Sequence, residues 1–220
     1  MRPELIIFDM DGLIFDTERL FMNALRKVMA EKGYTLTEEV YLQTLGAAGS
    51  RVSEIMHRYY GDDYDDSGIG RAARERMEAE TAQKGVGLPL KKGILELLVY
   101  LVEQDIPCVV ASSTRSTFVK KYLEEAGIDW YFRGVIGGDM VKESKPNPEI
   151  FIQACSLTGT SPANALVLED SENGIRAAAA GGIPVLCIPD MKYPEEKVAK
   201  LAEAILEDGF AVISYLQGSR

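Results

Sequence analysis

The chain has 220 residues, 46% of them hydrophobic, with a formal net charge of −10 and a pI of about 4.8. That length holds one sizeable core with room for a smaller inserted domain, and the acidity argues against a nucleic-acid surface, which is usually basic. The longest apolar runs are far too short to cross a bilayer and no basic-plus-apolar leader opens the sequence, so no membrane association is expected. Cys108, Cys155 and Cys187 are an odd, scattered set without metal-type spacing. They read as buried thiols in a reducing compartment, which places the protein in the cytoplasm.

The first element is Leu5-Ile6-Ile7-Phe8, a short apolar run that fits a strand buried on both faces. Asp9-Met10-Asp11-Gly12 follows at its carboxyl end. In an open α/β sheet ligands bind at the carboxyl ends of the strands. There a carboxylate can serve as a nucleophile and a second can move protons. Two acids so close also suit an oxygen-seeking cation such as Mg2+. The plain alternative is an Asx turn, which Asp-Gly also favours.

From residue 16 the pattern turns helical. Asp16 is placed to cap a helix in which Phe21, Ala24, Leu25, Val28 and Met29 recur at helical spacing, ended by Gly33. Thr37 caps a second through Leu45. Ser50 or Ser53 starts a third, with Val52, Ile55, Met56 and Tyr59 on one face. After the acidic loop 61–66 a charged helix runs from about Ile69 to Lys84.

A Gly/Pro connector over 85–90 changes the pattern again. Helix Gly93–Leu101 leads to a strand Pro107–Ala111. A helix capped by Ser116 ends at Ala126–Gly127, and a short strand Val135–Ile136 follows. Asn147 caps a helix with Pro148 at its first position. Ala165–Leu168 is a strand, followed by a helix to Ala180 and a strand Pro184–Ile188. A last helix spans about Glu195–Glu207, and Ala211-Val212-Ile213 adds an edge strand. Strands alternating with helices predict an α/β fold, a doubly wound parallel sheet. The all-helical block after the first strand predicts an inserted helical cap over 16–87, with the core made of 1–15 and 88–220.

Three more strand ends carry polar residues. Ser112-Ser113-Thr114-Arg115 offers hydroxyls and free N–H groups suited to phosphate oxygens, or plain helix capping. Lys145-Pro146-Asn147-Pro148 places a lysine in a short loop, followed by a proline and then a capped helix. A lysine there suits a phosphate or a nearby carboxylate, or is simply solvated. Glu169-Asp170-Ser171 repeats the acidic pair after a buried strand, as metal ligands or as a helix cap.

Phe8-Asp9-Met10-Asp11-Gly12-Leu13 resembles the first motif of the haloacid dehalogenase-like superfamily. Ile14-Phe15-Asp16-Thr17-Glu18 resembles its helical-cap branch of β-phosphoglucomutases and sugar-phosphate phosphatases. Ser112, Lys145 and Glu169-Asp170 match the second, third and fourth motifs in order. The resemblance implies a phosphatase for a small phosphorylated metabolite, working through an aspartyl phosphate. Asp9 would be the nucleophile and Asp11 the acid/base, with Ser112 and Ser113 on the phosphoryl group together with Lys145. Mg2+ would be held by Asp9, Asp11 and Asp170, with Glu169 direct or through water. The cap is implied to close over the site and read the substrate, with Glu18 and Arg51 as specificity candidates and Arg74 and Lys84 weaker ones. His57, the single histidine, is expected at the surface or partly packed.

A dehalogenase is disfavoured because those relatives lack the acid at Asp11. A phosphosugar mutase is the alternative enzyme, but Phe21 stands where such mutases carry a cap histidine. Outside catalysis the alternatives are a ligand-binding protein or a receiver-like domain. A roughly 70-residue helical insertion counts against the receiver, since loops that long usually carry function. The expected state is a monomer or weak homodimer with a small phosphorylated substrate as its partner.

Overall fold

The computed structural model describes residues 2–45, 49–84 and 87–218. The chain separates into two compact units, residues 1–16 with 88–220, and residues 17–87.

The first unit is built on six strands, β1 (Leu5–Phe8), β2 (Cys108–Ser112), β3 (Phe132–Gly137), β4 (Ala165–Glu169), β5 (Val185–Cys187) and β6 (Ala204–Ile205), ordered β3-β2-β1-β4-β5-β6 and all parallel. Every residue of β1, β2 and β4 is buried, the signature of a parallel sheet covered on both sides. On one face Leu5, Ile7, Val109 and Val167 pack with Ile150, Phe151 and Ile175. Ile6, Phe8 and Val110, which point the other way, are equally buried.

The second unit is helical: α1 (Thr17–Glu31), α2 (Glu38–Thr44), α3 (Gly49–Tyr60) and α4 (Asp66–Lys84). α1 and α4 pack together and are tied by ion pairs Lys27–Glu80 (2.8 Å) and Arg76–Glu31 (2.7 Å). Thr37 accepts from the Val40 amide and caps α2. Met22 and Met56 lie in the unit's core, whereas Phe21 is half-buried under Arg74, whose guanidinium carbon sits 5.6 Å from its ring centre. α4 begins three residues before the expected Ile69. Gly46–Ala48 and Gly85–Val86, parts of two stretches singled out in the sequence, lie outside the described residues.

The remaining helices, all in the first unit, are α5 (Ile94–Glu103), α6 (Ser116–Glu125), α7 (Glu149–Thr158), α8 (Glu172–Ala180), α9 (Glu196–Ala199) and α10 (Gly209–Gly218). Several boundaries differ from the sequence reading. β3 has six residues rather than two. Pro148 occupies the cap position of α7, one residue later than expected, although Asn147 Oδ1 still accepts from the Glu149 amide at 2.9 Å. At α6 the cap comes from Asp139, which accepts from the Ser116 amide (2.6 Å) and hydroxyl (3.0 Å); these bonds hold its carboxyl below the usual range. The expected helix Glu195–Glu207 is only the one-turn α9. The edge strand is Ala204–Ile205, and Ala211–Ile213 is helical.

All three cysteines are free and buried. Burial pushes the Cys108 and Cys187 thiols up to about 12 and raises Cys155 as well. Since the thiolate is the reactive form, a disulfide-exchange reagent at about pH 8 should label none of them within minutes in the native protein and three per chain in denaturant. One fast native thiol would contradict this packing. Among the described residues no helix is long and apolar enough to cross a membrane.

Candidate active site

The strand register brings four sequence-distant groups together. Phe8 pairs with Val110 on one side and Leu168 on the other. Asp9 therefore follows the central strand level with Ala111 of β2 and Glu169 of β4, and the Asp9 amide donates to Leu168 O at 3.0 Å. Lys145 reaches in from the loop before α7; the Lys145–Pro146 peptide is cis. Its Nζ donates to Asp9 Oδ1 (2.5 Å), Glu169 Oε1 (2.7 Å) and Ala111 O (3.2 Å) and lies 4.8 Å from the Phe151 ring centre. The three ionisable side chains are 6% (Lys145), 9% (Asp9) and 0% (Glu169) exposed. Charges this deep are tolerated only when paired and hydrogen-bonded. Burial pushes the Asp9 carboxyl up to about 7; Lys145 pulls against it, and Glu169 and Asp11 add to the rise. Lys145 is raised because its two carboxylates outweigh its burial.

Glu169 is anchored twice more, its Oε2 accepting from the Ser171 amide (2.8 Å) and hydroxyl (2.9 Å). Ser171 also caps α8 through the Gly174 amide (3.1 Å). Gly174 is needed for close approach: a Cβ there would overlap the Glu169 carboxylate. Gly174→Ala should therefore destabilise the fold by about 1–3 kcal/mol, as overpacking does, measured by urea unfolding. An unchanged midpoint would show that Glu169 is not held there.

Asp11 faces β2. Its Oδ2 accepts from Thr114 Oγ1 (2.7 Å) and Ser112 Oγ (3.3 Å), and Ser112 Oγ, fully buried, accepts from the Thr114 amide (3.0 Å). These two hydroxyls fix the orientation of the Asp11 carboxyl. Thr114 is a site residue to which the sequence reading attached no role; its signal was its place two residues beyond Ser112 in the same turn. Ser113 is exposed, and its backbone packs against Gly138. Gly12, at φ +80°, turns the chain beside Asp170, whose carboxylate a Cβ on Gly12 would overlap. Only glycine takes that turn cheaply at such close range.

In the helical unit, Glu18 accepts from the Tyr41 hydroxyl at 2.6 Å. Arg51 pairs with Glu54 at 2.5 Å and is half exposed. His57 is partly packed between Gly61 O (3.0 Å) and Asp66 (3.1 Å).

The family model of the haloacid dehalogenase-like hydrolases matches residues 6–188. The chain belongs to the haloacid dehalogenase-like hydrolase family. It is 31% identical over 218 residues to YhcW of Bacillus subtilis, across 92% of this chain and 96% of that one. It is 29% identical over 180 residues to a phosphorylated carbohydrates phosphatase of Thermotoga maritima, 82% of each chain. The crystal structure of CbbY from Rhodobacter sphaeroides in complex with phosphate superposes with a TM-score of 0.76 at 29% identity, covering 94% of this chain and 95% of that one.

The donor chemistry in this family member fits a hydrated divalent cation. Asp9, Asp11, Glu169, Asp170 and Asp190 gather five carboxylates around the Gly12 turn and the Lys145 pocket, against the ammoniums of Lys145 and Lys91. Among the described residues no three His, Cys, Asp or Glu side chains form a ready cage, and Glu169 is committed to Lys145 and Ser171. That suits Mg2+, which keeps several waters and takes only one or two carboxylates from a protein.

Proposed function

We propose that this family member is an Mg2+-dependent phosphatase of a small phosphorylated metabolite, of the phosphosugar class, working through a phosphoryl group carried on Asp9. The observation that supports it most is Lys145 Nζ bridging Asp9 and Glu169 at the carboxyl ends of β1 and β4. A lysine fixed there holds Asp9 in one orientation and faces a bound phosphoryl oxygen with a point charge. Asp9 then attacks phosphorus in line. Asp11, oriented by Thr114 and Ser112, gives a proton to the leaving oxygen and later takes one from the attacking water. Ser112 and the β2–α6 turn hold phosphoryl oxygens, with Ser113 the further candidate. Asp9, the Asp11 carbonyl and Asp170 would hold Mg2+, with Glu169 through water; when bound, the cation offsets charge on the transferring group. The phosphosugar class rests on the likeness to the Thermotoga enzyme. Glu18 and Arg51 are the proposed specificity residues, and Arg51 would have to exchange Glu54 for a substrate anion.

The test is phosphate release from p-nitrophenyl phosphate and a panel of phosphorylated sugars, nucleotides and small acids, with Mg2+ and with chelator. Steady, Mg2+-dependent release is expected. Absence of release across the panel would end this reading, and conversion to an isomer without net release would establish the mutase instead.

A further inference from the structure

Asp190 follows β5 and plays no part in the proposed chemistry. Its side chain is 2% exposed, Oδ1 is paired with Lys91, and Oδ2 is buried without a hydrogen-bond partner among the described residues. A buried carboxylate oxygen left unpartnered is costly and calls for an explanation. Its position supplies one. A Cβ built on Gly12 would lie 3.5 Å from Asp190 Cβ and 3.0 Å from Asp170 Cγ, so Asp170 and Asp190 flank the same turn. Lys91 is fixed there in turn, because its amide donates to Ile14 O at 2.8 Å.

We propose that Asp190 reaches the cation through one of its bound waters, Oδ2 accepting that water's hydrogen while Lys91 holds Oδ1 and sets the orientation of the carboxylate. This rests on the reading of a divalent cation at Asp9 and Asp170. A cation that keeps several waters needs acceptors for them, and the lone oxygen beside Asp170 is one. Asp190 is thus a positioning residue for the hydrated ion, and groups in that role typically change metal affinity by about 10–100-fold when replaced.

The test is calorimetric binding of Mn2+ to the substrate-free wild type and to the variants Asp170→Asn, Asp190→Asn and Lys91→Met, with circular dichroism and cation-free melting as fold controls. The expected result is a dissociation constant at least about 10-fold weaker for Asp190→Asn. Lys91→Met should bind as tightly as wild type or tighter, since it leaves the Asp190 charge unopposed. Should both variants bind as wild type, Asp190 serves only Lys91 and the proposal fails. Should both weaken alike, the pair merely props the turn and the proposal fails too. Failure of the cation reading itself would look different: Mn2+ would not bind the wild type, or Asp170→Asn would bind it unchanged. If Asp190→Asn does not fold, Asp190→Ser is measured under the same criteria.

Discussion

Replacing Lys145 with methionine should cost the fold about 3–5 kcal/mol, the usual consequence of stripping one partner from a buried ion pair, and should abolish turnover as well. The loss should depend on pH in a stated direction. The lysine's own titration does not set that direction: its pKa is raised, so its charge is complete below the ordinary lysine pKa and is lost only as pH rises through the raised one. Without that ammonium, Asp9 and Glu169 face each other in a closed pocket. The folded variant then holds on to protons that the unfolded chain releases, so its deficit grows as pH climbs through and above the carboxylate range. Urea unfolding without divalent cation at about pH 5 and pH 8 should show a small deficit at the lower pH and the larger one at the higher. An equal deficit at both, below about 1 kcal/mol, would mean that Lys145 does not hold this cluster together.

Asp9→Asn should reduce Mg2+-dependent phosphate release by at least about 10^4-fold, the scale seen when a nucleophile is removed from a concerted set. It should do so while making the cation-free protein more stable above neutrality. Burial raises the Asp9 carboxyl from 3.8 to about 7, so between those values the unfolded chain ionises while the folded chain keeps its proton. Folding loses stability across that window, and the loss is complete above it. Asparagine does not titrate, and it leaves Lys145 with Glu169 as a neutral pair. Melting curves of the two proteins should therefore coincide near pH 4 and separate by pH 8 with the variant higher. Added Mg2+ should close the gap by stabilising the wild type. Persistent turnover in Asp9→Asn would remove Asp9 as nucleophile. A variant less stable at pH 8 would show that the carboxylate is no burden to the fold.

Much of the core was legible because its signals are local. Leu5–Phe8 and Ala165–Leu168 are apolar runs closed by acids, and buried parallel strands leave few other readings for them. The C-terminal region was misread because its conformation is set at a distance. Ala211-Val212-Ile213 has strand-like residues. Yet Asp208 Oδ1 accepts from the Ala211 amide (3.1 Å), Asp208 pairs with Lys92 (2.8 Å), and Gly209 packs on Gly93, which together start a helix. The expected long helix after Glu195 stops early because the Glu203 and Leu206 amides are drawn to Val185 and Cys187 carbonyls at the sheet edge. At the site the strand-end motifs stood out, but Thr114 and the Lys91–Asp190 pair did not. A contact between residues 99 apart leaves no trace in local spacing.

The two chain segments that leave and rejoin the sheet unit run side by side. Phe15 bridges Leu90 in antiparallel fashion, Asp16 donates to Pro89 O, and Lys91 donates to Ile14 O. Closing a loop costs entropy that grows only slowly with its length, and here the stem is already stitched by backbone bonds. The sheet is therefore nearly indifferent to what hangs from that stem. Residues 17–87 could be lengthened, shortened or exchanged for another helical block at little expense to the packing of Asp9 and its neighbours on the sheet.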